Sequence, residues 1–222
     1  MSSKGIGAGA ESVRHALSTL RLILSPNYAV IPITETSLLK EPWEPSCAAI
    51  VFPGGRDLGY ARALNGHGNE RIKTFVRNGG AYIGFCAGAY YASQRCEFEV
   101  GHPELEVIGS RELGFFPGTF RGGAFKGFSY NSERGAMAAP LYVDDVAWGD
   151  GGHVDFPNRL TCYYNGGGVF IDADKMRDQG VEVLAEYEGI LNVPLGDSEC
   201  QAAAVYCQVE SGAAILFGPH PE

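Results

Sequence analysis

Residues 79–88 read Gly-Gly-Ala-Tyr-Ile-Gly-Phe-Cys-Ala-Gly, and this stretch decides the fold. The apolar run from Ala81 to Phe85 predicts a buried strand, and a tight turn carrying Cys86 follows it. A nucleophile at such a strand-to-helix turn sits in strained backbone, where flanking glycines avoid Cβ clashes. The dipole of the helix that follows favours a thiolate. By itself the stretch is equally consistent with catalysis and with a structural cysteine buried among glycines.

The composition is that of a folded, acidic protein. Of the 222 residues, 45% are hydrophobic and 19% are charged, and the formal net charge is −9 at pH 7. An acidic surface disfavours nucleic acid and anionic membranes as partners. The sequence contains no apolar run long enough to span a membrane and no signal-peptide core at its start. We therefore expect a cytoplasmic protein with a small-molecule substrate or ligand.

The cysteines and histidines do not suggest a metal site. The six cysteines are widely spaced and form no Cys-x-x-Cys pair, so we expect reduced thiols. The five histidines make no i, i+4 pair and no zinc spacing with cysteine. We therefore predict neither a metal nor a cofactor.

Strand and helix signals around the opening stretch predict a βαβ unit. Residues 48–52 and 81–85 read as strands, with a helix at about 69–78 between them. Such a unit implies parallel strands with helices on the faces of the sheet. We therefore predict an α/β three-layer sandwich with a mostly parallel central sheet and a strand-rich C-terminal part. A single domain should cover residues 11–222, after a disordered or truncated lead at 1–10.

The remaining elements follow from periodicity and turn residues. A helix is predicted over 11–24 with Ser12 as its cap, and another over about 87–94. A hairpin is expected around Asn165 and Gly166, and a second around 211–212. The Gly- and Phe-rich segment 111–130 is predicted to be irregular. The predicted strands are 28–33, 96–100, 105–108, 141–148, 160–164, 169–171, 181–187, 203–209 and 213–217.

The last five residues, Gly-Pro-His-Pro-Glu, suggest the partners of Cys86. Pro221 forces His220 into extended backbone, where residues two apart project to the same side. The Glu222 carboxylate would then fix the His220 tautomer while the imidazole takes the Cys86 proton. The alternative is a polar tail after the final strand.

The Pro-Gly-Gly turn at 53–55 adds a third part of the site. It follows the strand at 48–52, at the sheet edge where α/β proteins bind ligands. The N–H groups of Gly54, Gly55 and Ala87 are candidate donors of an oxyanion hole.

These three motifs, in this order, resemble the class I glutamine amidotransferase-like superfamily, and more specifically the N-terminal domain of fungal-type biotin-protein ligases. The resemblance implies a flavodoxin-like fold, a fungal source, and a triad of Cys86, His220 and Glu222. It also implies that Tyr90, Asn165 and Gly166 line the substrate site. Further matching stretches are 41–43, 51–58, 109–113, 115–118, 130–133 and 164–167.

The chain also departs from the family pattern. Glutamine-using members carry Gln four residues after the nucleophile, where this chain has Tyr90. Such domains begin with an apolar strand, which residues 1–10 lack, so we expect the sheet to lack a central strand. Nothing in the sequence resembles the catalytic domain of a biotin ligase.

Two functions remain open. The first is a cysteine-dependent hydrolase of a small amide or acyl substrate. The alternative is a non-catalytic regulatory or ligand-binding domain, related to or a fragment of biotin-protein ligase, whose partner is that ligase or another protein. The protease or chaperone branch of the superfamily is weaker, because that branch carries His where this chain has Ala87.

Overall fold

The computed structural model describes residues 7–143 and 157–222. Helices α1 to α5 span Ala10–Leu24, Glu35–Lys40, Asp57–Leu64, His67–Arg77 and Ala87–Ala92. Strands β1 to β11 span Ala49–Phe52, Ala81–Phe85, Ser93–Phe98, Val107–Ser110, Phe116–Gly122, Met137–Val143, Arg159–Tyr164, Gly168–Phe170, Val181–Tyr187, Ala202–Val209 and Gly212–Phe217. Short 3-10 helices occur at Glu44–Ser46 and Ala173–Gln179.

The larger sheet has the strand order β1-β2-β11-β10-β9-β6-β7. The predicted βαβ unit is confirmed, since β1 and β2 pair in parallel with Ala49 opposite Ala81. β2 also pairs in parallel with β11, but all the pairs beyond β11 are antiparallel. The α/β class is therefore confirmed, whereas the expectation of a mostly parallel sheet was wrong. Tight turns such as the one between β10 and β11 can join only antiparallel strands, which explains the difference.

A second sheet has the order β4-β3-β5-β8, and its strands β3 and β5 contact α5, which also contacts β1, β2 and β11. Its strand β5 lies in the segment predicted to be irregular, so that prediction was wrong. The glycines of β5 permit close packing instead of breaking the strand. A Cβ on Gly118 would lie 2.8 Å from the Phe116 ring, and one on Gly122 would overlap the Tyr90 hydroxyl.

The two predicted hairpins had different outcomes. The hairpin of β10 and β11 is confirmed, with Val209 opposite Gly212. The hairpin around Gly166 was wrong: Gly166 does turn with a φ of 81°, but β7 pairs with β6 and β8 pairs with β5. The turn therefore connects the two sheets and brings the segment 165–167 between them.

Several boundaries also differ from the prediction. Residues 28–33 form no strand, and Tyr28 and Ile31 are 58% and 77% exposed, since no described strand pairs with them. Helix α5 ends at Ala92, and β3 and β4 are shifted by two or three residues from their predicted starts. β6 begins at Met137, and the part of the predicted strand beyond residue 143 lies outside the described residues.

Residues 7–9 of the predicted lead contact the Pro-Gly-Gly turn, while residues 1–6 lie outside the described part of the chain. The backbone N–H groups of Gly9 and Arg56 donate to the carbonyls of Gly54 and Gly7. Helix α1 follows directly, with Gly9 and not Ser12 at its N-cap. Within the described ranges, no helix is long and apolar enough to cross a membrane.

Candidate active site

Cys86 occupies the turn between β2 and α5. Its backbone has φ 45° and ψ −99°, a region that L-residues avoid because the side chain crowds the backbone. The Cys86 N–H donates to the Phe217 carbonyl at 2.8 Å, which ties the turn to the neighbouring strand. The sulfur is therefore held at the carboxyl ends of β2 and β11, where these parallel strands meet.

The glycines on either side of Cys86 allow this turn to form. A Cβ on Gly84 would lie 2.8 Å from the Gly88 backbone, and a Cβ on Gly88 would overlap the carbonyl oxygen of Phe52. Helix α5 therefore approaches β1 and β2 more closely than any larger residue allows. The spacing Gly-x-Cys-x-Gly is required by this contact.

His220 lies between Cys86 and Glu222. His220 Nδ1 lies 2.9 Å from Glu222 Oε1, and the imidazole is close enough to Cys86 for the charge of the sulfur to act on its pKa. The backbone N–H of His220 donates to the Tyr163 carbonyl at 2.8 Å, which holds the segment beside β7. The side chains of His220 and Glu222 are only 13% and 2% exposed. The three side chains form a continuous Cys–His–Glu arrangement.

The pKa values of the pair support an ionic interaction. Burial alone would lower the pKa of His220, but the charges and hydrogen bonds of Cys86 and Glu222 outweigh it and raise the pKa to about 10. Burial opposes ionisation of Glu222, but the hydrogen bond and charge of His220, helped by Ser12, lower its pKa. The buried carboxylate is therefore ionised near neutral pH, and it favours the imidazolium form of His220.

These shifts predict how the stability of the fold depends on pH. The raised pKa of His220 contributes stability that is complete below pH 6.5 and is lost as pH rises through about 10. The lowered pKa of Glu222 contributes stability that is present above pH 4.5 and is lost as pH falls through its folded-state pKa. We expect urea unfolding to show the largest difference in the free energy of unfolding between wild type and Glu222→Gln from pH 4.5 to pH 6.5, where both contributions are complete. A constant difference across the acidic range would contradict this assignment.

Ser12 is a site residue that the sequence did not identify as one. Its hydroxyl accepts a hydrogen bond from Gly54 N–H at 2.7 Å and donates to Glu222 Oε1 at 2.5 Å. The only sequence signal was its position two residues after a Gly/Ala-rich segment, and that signal suggested a helix cap. A contact across 210 positions leaves no local pattern.

The structure distinguishes the predicted oxyanion-hole donors. The N–H of Gly54 is bonded to Ser12, and Gly54 packs against the His220 ring, which a Cβ at this position would overlap. Within residues 7–143 and 157–222, the N–H groups of Gly55 and Ala87 have no hydrogen-bond acceptor. Both residues line the pocket that contains Cys86. Gly55 and Ala87 are therefore the candidate donors, and Gly54 provides space for the imidazole.

Aromatic side chains line the pocket beside Cys86. Its walls include Tyr90, Phe98, Phe128 and Tyr130, and its free volume is only about 20 Å³. That volume holds about one water molecule. The Tyr90 hydroxyl donates to the Gly166 carbonyl at 3.2 Å, so Tyr90 is a buried wall of the pocket.

Asn165 and Gly166 reach the site through their backbone. The Cys86 thiol lies 3.8 Å from the Asn165 carbonyl oxygen, while the Asn165 side-chain amide donates to the Ser132 carbonyl. A Cβ on Gly166 would lie 2.6 Å from the Phe128 ring, so glycine lets this ring close the pocket. The turn at 165–166 therefore lies beside Cys86.

Charged groups at the pocket mouth differ in their partners. Asp57 is paired with Arg111, and both side chains are largely buried. The Arg56 guanidinium lies 4.4 Å from the centre of the Tyr130 ring, which is a cation–π contact. This contact joins Arg56 to the aromatic loop, which we define as residues 123–136 between β5 and β6. Across the described parts of the chain, no cluster of three or more His, Cys, Asp or Glu residues suits a metal ion.

The mixed α/β fold is that of glutamine amidotransferase-like proteins of known structure. A solved glutamine amidotransferase superposes with a TM-score of 0.57 at 18% identity, covering 97% of this chain and 87% of that one. PurLQS from Thermotoga maritima superposes with a TM-score of 0.51 at 18% identity, covering 98% of this chain and 84% of that one. A putative ThuA-like protein from Bacteroides uniformis superposes with a TM-score of 0.55 at 14% identity, covering 99% of this chain and 84% of that one. These similarities establish the fold.

The sequence comparisons identify the family. The family model described as "Biotin-protein ligase, N terminal" matches residues 2–222, and the chain belongs to this family. It is 38% identical over 218 residues to the biotin–protein ligase of Schizosaccharomyces pombe, covering 98% of this chain but 32% of that protein. An uncharacterised protein of Chlamydia muridarum is 34% identical over 219 residues, covering 97% and 77%. The predicted resemblance to the N-terminal domain of biotin-protein ligases is confirmed.

Proposed function

We propose that this domain is a cysteine-dependent hydrolase of a small amide or related acyl compound. Cys86 is the nucleophile, His220 is the acid–base group and Glu222 orients the imidazole. The observation that supports this most directly is the position of His220, which pairs with Glu222 at 2.9 Å and whose pKa is raised by the charge of Cys86 beside it. A histidine fixed between a thiol and a carboxylate has the geometry that nucleophilic catalysis requires.

The proposed reaction has two steps. In acylation, His220 holds the proton of Cys86 while the sulfur bonds to the substrate carbonyl carbon, whose oxygen takes the negative charge. The N–H groups of Gly55 and Ala87 would stabilise that charge. His220 then returns the proton to the leaving nitrogen as the carbon–nitrogen bond breaks. In deacylation, His220 takes a proton from water, the resulting hydroxide attacks the thioester, and the carbon–sulfur bond breaks to release the acid and Cys86.

The small volume of the pocket sets a limit on the substrate. The space beside the sulfur holds about one water molecule, so either the reacting group is small or the aromatic loop carrying Phe128 moves on binding. Tyr90 fills the position where glutamine-using relatives carry Gln, and its hydroxyl is bonded to Gly166. Glutamine is therefore not the substrate that we favour.

A non-catalytic regulatory or ligand-binding domain is the second candidate. The narrow pocket favours it, and so does the family, since the chain spans about a third of the fission yeast ligase that it matches. In this case the partner would be biotin-protein ligase or another protein, and the elbow would serve packing or ligand binding. Turnover of any compound in a panel of small amides and esters, abolished by Cys86→Ser, would exclude it.

The reactivity of Cys86 tests the first proposal. We expect iodoacetamide near neutral pH to label Cys86 at least about tenfold faster than any other cysteine, because the proposed reaction requires an activated nucleophile at this position. Burial raises the pKa of Cys47, Cys96 and Cys207, and it raises those of Cys162 and Cys200 to about 11 and about 12. Peptide mass spectrometry over a time course measures all six rates. If Cys86 reacts no faster than the others, the hydrolase proposal fails.

A further inference from the structure

The Glu222 carboxylate depends on one contact from a distant part of the fold. Its Oε1 atom accepts hydrogen bonds from His220, two residues away, and from Ser12, 210 positions away. Its Oε2 atom is buried and has no partner among the described residues. Since His220 belongs to the same short segment, Ser12 is the group that fixes the carboxylate relative to the rest of the domain.

The hydrogen bonds of Ser12 determine which group its hydroxyl proton is donated to. A hydroxyl has one proton, and the Ser12 oxygen already accepts the Gly54 N–H at 2.7 Å. Its own proton is therefore directed to Glu222. The same hydroxyl thus joins the carboxylate to the Pro-Gly-Gly turn, whose next residue, Gly55, is a candidate oxyanion donor.

This connection links the two halves of the site. One half is the Cys86–His220–Glu222 arrangement, and the other is the turn at 53–55, which also packs against the His220 ring. Helix α1 carries Ser12, and residues 7–9 before it bond to the same turn. A shift of α1 would therefore move the carboxylate and the turn together.

We propose that Ser12 is a positioning residue of this site: by donating to Glu222 while accepting from Gly54, it sets the imidazole of His220 against Cys86. This inference rests on the proposed triad. Ser12 does not touch the sulfur, so its effect reaches the nucleophile only through Glu222 and His220. The groups whose charge acts on His220 are Cys86 and Glu222, and both must be considered in any pH profile.

The test is the pH profile of Cys86 alkylation in four full-length variants. Ser12→Ala and Ser12→Val remove the hydroxyl, Ser12→Thr keeps it in the shape of valine, and Ser18→Ala makes the same truncation at an exposed position of α1. We expect Ser12→Ala and Ser12→Val to lose about tenfold in the rate below pH 7, with a smaller loss at alkaline pH. Ser12→Thr should retain most of the wild-type profile, and Ser18→Ala all of it.

Three results would overturn the inference. These are a Ser12→Ala profile equal to that of Ser18→Ala, an equal loss at every pH, and a Ser12→Thr profile no better than that of Ser12→Val. Circular dichroism identifies any variant that does not fold. If Ser12→Ala does not fold, the comparison of Ser12→Thr with Ser12→Val decides whether the hydroxyl positions the site. If wild-type Cys86 itself reacts as an ordinary thiol and His220→Ala changes nothing, the proposed triad has failed. That outcome differs from a reactive Cys86 whose alkylation rate does not change when Ser12 is substituted.

Discussion

His220→Ala is expected to slow the reaction of Cys86 with iodoacetamide by about 100-fold at pH 6.5. An ordinary cysteine thiol has a pKa of about 8.5, so only about 1% is thiolate two pH units lower. In the wild type, the pKa of His220 is raised to about 10, so a protonated imidazole lies beside Cys86 at pH 6.5. Alkylation quenched at a series of times and followed by peptide mass spectrometry gives the rates of Cys86 in the wild type and in His220→Ala. Hydrolysis of any substrate should fall by about 100-fold or more, the usual contribution of an acid–base group.

A histidine outside the site provides the control. His102 is exposed and lies between β3 and β4, so His102→Ala should leave the alkylation rate of Cys86 unchanged. The expected rate difference should also narrow as the pH approaches the ordinary range of thiol ionisation. Equal rates for His220→Ala and the wild type at pH 6.5 would show that the imidazole does not activate the sulfur.

Gly88→Ala is expected to destabilise the fold by about 3 kcal/mol or more, which is a large part of the about 5–15 kcal/mol that holds a typical domain folded. The new Cβ would overlap the carbonyl oxygen of Phe52. That oxygen belongs to the backbone of β1, so relief requires α5 to move away from the sheet. Urea unfolding monitored by circular dichroism measures the loss, and Cys86 should lose its selective reactivity in the same variant.

Gly101→Ala separates this clash from the general effect of replacing glycine. Gly101 has a φ of 85° with no atom within 4 Å of the position of a Cβ. The change there should cost only about 1–2 kcal/mol, the penalty of a left-handed conformation for alanine. If Gly88→Ala costs no more than Gly101→Ala, the close packing of α5 on β1 is not what holds the elbow.

The parts of the site that the sequence predicted are those with short-range causes. The elbow follows from an apolar strand, a cysteine and two glycines within five residues, and the geometry at Gly84 and Gly88 explains why both are needed. His220 and Glu222 were predicted to point to one side because Pro221 forces an extended backbone. In the structure, His220 lies between Cys86 and Glu222, while their roles remain a proposal.

The parts that the sequence missed depend on contacts between distant segments. Residues 28–33 have the composition of a strand, but a strand forms only where a neighbour pairs with it. The segment 111–130 contains glycines that suggested irregular structure, yet Gly118 and Gly122 in β5 are required by the rings and hydroxyl packed on them. Ser12 meets Gly54 and Glu222 only in the folded chain.

By itself, the sequence determined the α/β class, the elbow at Cys86, the candidate partners His220 and Glu222, and the family resemblance, because each depends on local backbone preference or on motif order. Only the tertiary structure decided that the sheet is mixed, that the turn at 165–167 joins two sheets, and that Gly54 is bonded to Ser12 and so leaves Gly55 and Ala87 as donors. Strand partners and hydrogen-bond acceptors come from remote segments, and their choice depends on the packing of the whole domain.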